Sequence, residues 1–412
     1  MTPRGLAKAA LSALLYVFDS ILLAFLLARN ATARRTPPKG AAPVALIVRT
    51  DRIGDFLLWL PSARRLTEHL CGRGYRVVII VNKESAALSD GLVGGALAGR
   101  VEVWPLDLTA FWTRPGYRAR LLSQVAGLGA DWAVQPMFSR LLASGDAVVR
   151  LSGARRRTGW IGDLANSTRL GHWLGSRVYT ELLDNPPPGL HDTQINEHLL
   201  EKLGIPLDRL RDVPLPCVRL ASLDGQPPLP DRYVVLAPGA SQALRRWPGA
   251  RFARLAERLH TDHGLPTVLC GSAGDQALAT AICRQSAAPL LDLTGRVPLR
   301  ELPTLVAGAT VLIGNDSAAI HLAALLGVPS VCIAGGGHPG RFIPYAASRL
   351  WPASSPPGVA RVPMPCYGCL WICIHRPDKT SCGPCIDAVT VEAAYAQVCR
   401  ALGADQGIGA DP

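Results

Sequence analysis

Apolar and polar positions follow a repeating pattern along most of the chain. Short apolar runs typical of strands are each followed by a stretch whose apolar residues recur at helical spacing. In the first half these strand-type runs lie at 44–49, 76–81, 101–104 and 131–136. Strands that alternate with helices predict a parallel sheet covered on both faces. The first half of the chain therefore predicts a doubly wound α/β domain.

A proline-rich stretch at 206–230 interrupts this pattern and has the composition of a linker. Beyond it the alternation restarts, with strand-type runs at 233–237, 267–271, 310–314 and 330–334. We expect two α/β domains that face a cleft, the usual place for a ligand. The predicted segments are a membrane-associating segment with a basic linker (1–40), a first Rossmann-like domain (41–213), a Pro-rich linker (214–230), a second Rossmann-like domain (231–350) and a Cys-rich segment with a C-terminal helix (351–412).

Composition narrows the choice of partners. The 412 residues are 49% hydrophobic and 18% charged, which excludes a wholly disordered chain. The net charge of +12 favours anionic partners: phosphorylated small molecules, acidic lipid surfaces or nucleic acid. Aromatic residues make up only 6%, which leaves little for base stacking, so we expect no nucleic-acid partner.

The N-terminal segment resembles a membrane-active sequence. Residues 9–28 contain one charged residue, Asp19, and basic residues flank them on both sides. On a helix, one narrow polar stripe forms from Lys8, Ser12, Tyr16 and Asp19, which suits a helix lying in the bilayer interface. A spanning helix and a cleaved signal peptide are the alternatives. The interfacial helix and the spanning helix both place the body of the protein at the cytoplasmic face of the membrane.

The most specific candidate ligand site is the sequence IGNDSAAIH, because a predicted strand is followed there by a short loop and a helix. Asn315 or Asp316 is expected to cap the helix, whose free N–H groups and dipole make an anion site. Ser317 adds a hydroxyl, Ala318 lets a ligand approach the backbone, and His321 lies one turn in. The alternative is an ordinary capped helix with a structural histidine.

A second loop, PGASQALRRWP, follows the first strand of the second domain. Ser241 offers a hydroxyl, and Arg245 or Arg246 can reach phosphate oxygens, which suit the planar fork of arginine. The alternative is a solvated basic turn. Together the two loops predict a diphosphate cradle without an acidic metal cluster.

The first domain contributes the loop RTDRIGDF. Asp55 stands at the start of a helix, where its carboxylate could act as a general base on an acceptor hydroxyl. The alternative is a carboxylate that merely complements the helix dipole. Arg52 in this loop and Arg155 in a run of three arginines are candidate contacts for an acidic acceptor, the second with a solvated surface run as its alternative.

Two further motifs lie outside these loops. The run GGGHPG at 335–340 fits G-x-G-x-x-G, but Pro339 interrupts the expected entry into a helix. In addition, no acidic residue that could hold a ribose lies about 20 positions further along the sequence. We therefore expect no nicotinamide site. Five of the 11 cysteines fall within twenty residues, and Cys366, Cys369, Cys382 and Cys385 approach zinc-ribbon spacing. The alternatives to a structural zinc or other metal are reduced packing thiols, a disulfide or an iron–sulfur site.

The segments 46–61, 236–248, 293–309 and 313–330, in this order and spacing, resemble glycosyltransferase family 9, the lipopolysaccharide heptosyltransferase family. The resemblance implies a GT-B architecture of two Rossmann-like domains. It further implies an inverting glycosyltransferase that moves a heptose from an ADP-heptose-type nucleotide sugar to a lipid-anchored, acidic lipopolysaccharide core acceptor, with no cofactor required. The enzyme would work at the inner face of the cytoplasmic membrane.

Residue by residue, the resemblance matches Asp55 to the family's catalytic base and Arg245 to a position that is commonly Lys. Asp316, Ser317 and His321 match its D-[ST]-G-x-x-H donor motif, in which Ala318 here replaces Gly. Because of these two departures, at Arg245 and Ala318, the identity of the transferred sugar stays open. A transferase that uses another nucleotide sugar, or a non-catalytic membrane-associated nucleotide-binding scaffold with a metal-stabilised tail, remains the alternative.

Overall fold

The computed structural model describes residues 3–32, 42–93, 97–208, 210, 215, 218–223, 228–351, 356–375 and 381–403. The predicted basic linker after residue 32, several positions of the predicted Pro-rich linker, and residues 352–355, 376–380 and 404–412 of the predicted Cys-rich segment lie outside the described residues. The chain divides into two compact units. One comprises Met1–Pro187 and Ile195–Leu207, and the other comprises Pro188–Gln194 and Asp208–Pro412.

The first unit is built on a six-stranded parallel sheet of order β3-β2-β1-β4-β5-β6. Its strands are β1 (Val44–Arg49), β2 (Arg76–Asn82), β3 (Val101–Leu106), β4 (Trp132–Gln135), β5 (Arg156–Trp160) and β6 (Glu181–Leu183). All six residues of β1 are buried, as expected of a central strand covered by helices on both faces. This strand order is that of doubly wound nucleotide-binding folds and confirms the α/β prediction.

The helices of the first unit up to Ser176 lie before and between these parallel strands in the sequence. They are α1 (Pro3–Thr32), α2 (Ile53–Gly72), α3 (Lys83–Ala86), α4 (Asp90–Val93), α5 (Leu108–Thr113), α6 (Pro115–Gly127), α7 (Ala147–Leu151) and α8 (Arg169–Ser176). A π-helical turn, Leu142–Asp146, leads into α7. Helix α9 (Asp192–Lys202) follows in the sequence before the second sheet.

The second unit repeats the architecture, with a parallel sheet of order β12-β11-β10-β7-β8-β9. Its strands are β7 (Val234–Ala237), β8 (Thr267–Leu269), β9 (Leu290–Asp292), β10 (Val311–Asn315), β11 (Ser330–Ile333) and β12 (Gly358–Ala360). Its helices are α10 (Gly249–His263), α11 (Gln276–Gln285), α12 (Leu302–Ala307), α13 (Ala318–Leu326), α14 (Pro384–Asp387) and α15 (Val391–Ala401). Gly264 and Gly327 end α10 and α13 with φ of 63° and 73°, the left-handed conformation that favours glycine.

Helix α1 packs on the first unit through polar side chains. Asp19 lies on the packed side, where Arg118 of α6 binds both of its carboxylate oxygens, Nε to Oδ1 at 2.7 Å and Nη2 to Oδ2 at 2.6 Å. Tyr16 and Ser20 also face the protein, because Arg150 lies over the Tyr16 ring and donates to the Ser20 hydroxyl. Two residues of the predicted polar stripe, Tyr16 and Asp19, therefore contact the first unit.

Among the side chains described between Ala10 and Phe25, the outward side of α1 is apolar. Its large exposed side chains are Leu11, Leu14, Val17, Ile21 and Phe25. Helix α8 contacts α1 and exposes Leu170 and Trp173. Within the described parts of the chain, no helix combines the length and apolar character needed to cross a bilayer.

Candidate functional site

The strand order of the second sheet reverses between β7 and β10, which are hydrogen-bonded neighbours. In doubly wound sheets, ligands bind outside the carboxyl ends of the strands at this reversal. The loop after β7 contains Ser241 and Arg245, and the turn after β10 contains Asp316 and Ser317. The fold of this unit alone therefore brings the two predicted donor-side loops together.

Asn315, the last residue of β10, joins the two loops. Its Oδ1 accepts the backbone N–H of Trp247 at 2.9 Å, and its Nδ2 donates to the carbonyl of Pro238 at 2.7 Å. The side chain is fully buried. The predicted capping role of Asn315 or Asp316 is wrong: the N-cap of α13 is Ser317, whose side chain makes no capping hydrogen bond.

Arg245 and Asp316 form the central ion pair of this site. The Nη2 of Arg245 lies 2.8 Å from the Oδ2 of Asp316 and donates to its backbone carbonyl at 2.5 Å. Their side chains are 20% and 11% exposed, so the pair is largely shielded from solvent but still accessible to a ligand. The Nε of Arg245 is buried and has no hydrogen-bond partner among the described residues. The guanidinium therefore keeps donor capacity beyond its pairing with Asp316.

His321 lies in the second turn of α13 and is buried. Its Nδ1 is 2.8 Å from the hydroxyl of Tyr345. Burial holds the pKa of Tyr345 well above its ordinary value, so the phenol stays protonated and can donate to this nitrogen. The ring of His191 lies 4.8 Å from that of Tyr345, and burial lowers the pKa of His191. His321 is thus held in a fixed orientation by a partner that no local pattern predicted.

The loop after β7 also comes close to the turn that follows β8. Gly239 packs against Asp275, and a Cβ at this position would lie 2.6 Å from a carboxylate oxygen. Asp275 itself accepts from the Ser272 backbone N–H and hydroxyl at 3.0 and 2.7 Å. Ser241 is exposed at the tip of the loop. The glycine is therefore required by packing, while the serine remains accessible to a ligand.

In the first unit, Asp55 lies in the first turn of α2, directly after β1. Arg49 fixes this region: its Nε pairs with Asp51 at 2.6 Å, its Nη2 donates to the Asp55 carbonyl at 3.1 Å, and its Nη1 donates to Asn196 at 3.0 Å. The guanidinium also lies 5.4 Å from the Trp59 ring centroid. This role of Arg49 was not predicted from the sequence. The available signal is a charged residue at the end of an otherwise apolar strand.

The two candidate acceptor contacts are placed differently. Arg52 is the N-cap residue of α2 and is exposed close to Asp55. Arg155 is exposed just before β5, at the amino-terminal edge of a parallel sheet, whereas Asp55 follows the carboxyl end of β1. The structure therefore brings Arg52, and not Arg155, to the edge that carries Asp55.

The Cys-rich segment contains a small cavity of about 20 Å³. Its lining includes Cys366, Cys369, Cys373, His375 and Cys385. The described cysteines are all free thiols, and the described residues contain no group of three or more His, Cys, Asp or Glu placed to hold a metal.

Cys382 does not line this cavity, although it belongs to the predicted four-thiolate set. Burial raises the pKa of Cys382, and a hydrogen bond with Asp387 and the charge of that carboxylate raise it further. The structure therefore does not bring the four predicted thiols together.

A profile of glycosyltransferase family 9 (heptosyltransferase) matches residues 144–353, just over half of the chain. The chain belongs to glycosyltransferase family 9. Lipopolysaccharide heptosyltransferase 3 of Escherichia coli K12 is 31% identical over 172 residues, which are 40% of this chain and 49% of that protein. Lipopolysaccharide heptosyltransferase 1 of Pseudomonas aeruginosa is 24% identical over 62% of this chain and 81% of that protein.

Solved structures of bacterial glycosyltransferases share the fold. The E. coli heptosyltransferase WaaC with ADP gives a TM-score of 0.61 at 19% identity, covering 87% of this chain and 99% of that one. The dodecameric iron-containing glycosyltransferase TibC from enterotoxigenic E. coli gives 0.51 at 15% identity, covering 89% and 80%. The predicted GT-B architecture is confirmed. The alignment with the first of the curated relatives spans about half of that protein's length.

Proposed function

We propose that this protein is an inverting glycosyltransferase that moves a heptose from an ADP-heptose-type donor to a lipid-anchored, acidic lipopolysaccharide core. Family membership supports heptose transfer. The observation that carries the proposal is the Arg245–Asp316 pair at the strand reversal of the second sheet. A guanidinium beside a helix start is suited to an anionic diphosphate.

The second unit binds the donor in this proposal. Arg245 and the hydroxyl of Ser241 contact the diphosphate, and the backbone at the start of α13, Ser317 to Ala318, faces its charge. Asp316 holds Arg245 in place, and His321 orients the donor through its fixed ring. As the sugar leaves, these groups stabilise the negative charge that develops on the diphosphate oxygen.

Asp55 serves as the general base. It accepts the proton of an acceptor hydroxyl while that oxygen forms a bond to the anomeric carbon from the face opposite the diphosphate. The bond from the anomeric carbon to the diphosphate breaks, and the electron pair leaves on the diphosphate. Arg49 fixes the loop through Asp51 and the Asp55 carbonyl, and Arg52 beside it is the proposed contact for acceptor phosphate or carboxylate.

Calorimetric titration of the full chain with ADP, UDP and GDP tests the donor assignment. We expect ADP to bind with the lowest Kd. Preference for UDP would instead indicate a transferase for another nucleotide sugar, and absence of binding to all three would indicate a scaffold. Mass spectrometry of the surface glycolipid from a deletion strain then identifies the acceptor, which we expect to lack one heptose.

We also propose that the outward face of α1 rests on the membrane that carries the acceptor. Every side chain assigned as exposed on α1 between Ala10 and Phe25 is apolar, and the one acidic residue there is paired inside. Trp173 of α8 extends this face, with the guanidinium of Arg177 3.3 Å from its ring centroid. Tryptophan and arginine at the rim of an apolar face suit the headgroup region of an anionic bilayer.

Flotation with vesicles of phosphatidylethanolamine and phosphatidylglycerol tests this surface. The variant Leu14→Glu/Ile21→Glu should lose vesicle binding, whereas Ala250→Glu, an exposed change in the second unit, should retain it. Binding of the double variant equal to wild type would contradict the proposal. A concentration-dependent dimer abolished by the same variant, without vesicle binding by wild type, would assign the face to a second copy.

A structural metal at the cysteines, such as zinc, stays a proposal that the observed positions support only in part. Cys366, Cys369, Cys373 and Cys385 line one cavity, but Cys382 lies beside Asp387. Burial also raises the pKa of Cys385, so without a cation this thiol stays protonated. Metal analysis of untagged protein tests the proposal, and protein without bound zinc or iron would refute it. No catalytic step depends on it.

A further inference from the structure

The Cys-rich segment packs against the turn that follows β11. Two backbone hydrogen bonds attach it there: Gly368 N–H donates to the Gly336 carbonyl at 2.7 Å, and Leu370 N–H donates to the Gly337 carbonyl at 3.0 Å. These bonds join the segment to the carboxyl edge of the second sheet, where the donor-side loops also lie.

The glycines of this turn are required by two aromatic rings. A Cβ on Gly336 would lie 2.1 Å from the Tyr367 ring, and one on Gly337 would lie 2.1 Å from the Trp371 ring. The contacts are too close for any larger residue. The glycine run therefore leaves room for the two rings of the Cys-rich segment. This packing explains the glycines of a motif that resembles a nucleotide-binding loop.

Trp371 in turn covers the Arg245 guanidinium. The carbon Cζ of Arg245 lies 5.0 Å from the centroid of the Trp371 ring, within range of a cation–π contact. Leu370 and Trp371 both have positive φ, 51° and 61°, which is uncommon for residues with side chains. The segment thus takes an unusual backbone conformation at the point where this ring meets the guanidinium.

Arg245 is held from two directions. Its Nη2 is bound by Asp316, its Nε has no hydrogen-bond partner among the described residues, and the ring of Trp371 restricts the guanidinium. An arginine held only through Nη2 could rotate about that contact. Fixing the guanidinium before the ligand arrives lowers the entropy cost of binding.

We propose that Trp371 is a positioning residue for the donor: it holds the Arg245 guanidinium beside Asp316, so that the Cys-rich segment is part of the diphosphate site. The inference rests on the proposed function of Arg245 in donor binding. It extends the donor site beyond residue 353, where the family match ends.

Calorimetric titration of the full chain with ADP tests the proposal. For Trp371→Ala, we expect the Kd for ADP to rise about threefold to thirtyfold, the range of a cation–π contact from exposed to desolvated. Trp371→Phe should recover most of the affinity, because it keeps an aromatic face. The matched control Ile372→Ala removes an exposed neighbour in the same segment and should leave the Kd unchanged. In steady-state assays, the donor KM should rise while the acceptor KM stays constant.

A double-variant cycle separates positioning from a general structural effect. In an Arg245→Ala background, Trp371→Ala should have no further effect on the Kd, since its action requires the guanidinium. Trp371→Leu fills the space without a π face and should resemble Trp371→Ala, which guards against a folding defect in the smaller variant.

Three results would overturn the inference: an unchanged Kd in Trp371→Ala, an undiminished effect in the Arg245→Ala background, or full affinity in Trp371→Leu. If wild-type protein fails to bind ADP at all, the proposed function fails instead, and the two failures are distinguishable.

Discussion

Arg118 and Asp19 form a bidentate ion pair in which the two side chains are 0% and 2% exposed. The pair joins α1 to α6, and Arg118 also donates to the carbonyls of Phe111 and Ala143. A charged side chain thus lies on the packed side of a helix whose outward side is apolar. This arrangement is the reverse of an ordinary amphipathic helix on a water-soluble protein.

Asp19→Ala should release α1 from the first unit. Removing one partner of a buried pair leaves an uncompensated charge, which costs about 3–5 kcal/mol. We expect limited proteolysis to cleave within residues 3–32 of the variant under conditions in which wild type resists. The double variant Asp19→Leu/Arg118→Met should regain resistance, because it leaves no buried charge. Equal resistance of Asp19→Ala and wild type would contradict this prediction.

Asp55→Asn should lower turnover and leave donor binding nearly intact. The amide cannot accept the acceptor proton, so kcat should fall by about 10²–10⁴-fold. The Kd for ADP should remain within about twofold of wild type, since we assign donor binding to residues of the second unit. Rate assays and calorimetry on the same preparation check both statements. A variant with wild-type kcat would remove Asp55 from the role of base.

Arg245→Ala should weaken stabilisation of the departing diphosphate, lowering kcat/KM by about 10²–10³-fold. Arg245→Lys should retain part of the activity, because it keeps the charge but loses the planar fork. Arg246→Ala is the matched control: its Nε donates to the Ala240 carbonyl, and we assign it no donor contact. Comparable losses in both alanine variants would argue against a specific role for Arg245.

Asn315→Ala should destabilise the second unit. The substitution leaves the Trp247 N–H and the Pro238 carbonyl without their side-chain partner, and each such loss costs about 1–3 kcal/mol. We expect urea unfolding to show a loss of about 2–4 kcal/mol together with weaker ADP binding. Ser241→Ala, on the exposed tip of the same loop, should leave stability unchanged.

His191 should make the second unit less stable in mild acid. Burial lowers its pKa below the ordinary 6.5, so the unfolded chain binds more protons than the folded one in the interval between the two values. This part of the stability is present above about pH 6.5 and is lost as the pH falls through that interval. Urea midpoints at pH 7.5 and 5.5 should differ less for His191→Gln than for wild type. An equal difference would exclude His191 as a source.

The central strands of both sheets were predictable because burial on both faces leaves a continuous apolar run, as in β1 and β10. Strand β5 was missed because it begins with arginines. Contacts with neighbouring strands accommodate Arg156 in this strand: its guanidinium carbon lies 4.0 Å from the Trp132 ring centroid, and its charge pairs with Glu181. Strands β6, β9 and β12 are three residues long and partly exposed, so they are too short to stand out as apolar runs.

The candidate site was predictable where loops follow strand ends, since topology brings such loops to one edge of a sheet. That logic predicted that the loops of Arg245 and Asp316 lie together, because both follow strand ends of one domain. It could not assign Asn315 its two backbone partners, because both come from a loop about seventy residues earlier in the sequence. It also could not find Trp371, because the contact depends on a segment that returns to the sheet through close packing on glycines.

The family match ends at residue 353, but the second sheet continues beyond this residue. Strand β12 pairs with β11 through Val331–Gly358 and two further positions, and Val398 of α15 is fully buried in the core. A shortened chain ending at the matched boundary would turn β11 into an open edge strand beside an uncovered apolar groove. Such an edge invites intermolecular strand pairing and aggregation. A shortened chain that keeps the second sheet and its core intact therefore has to extend through α15.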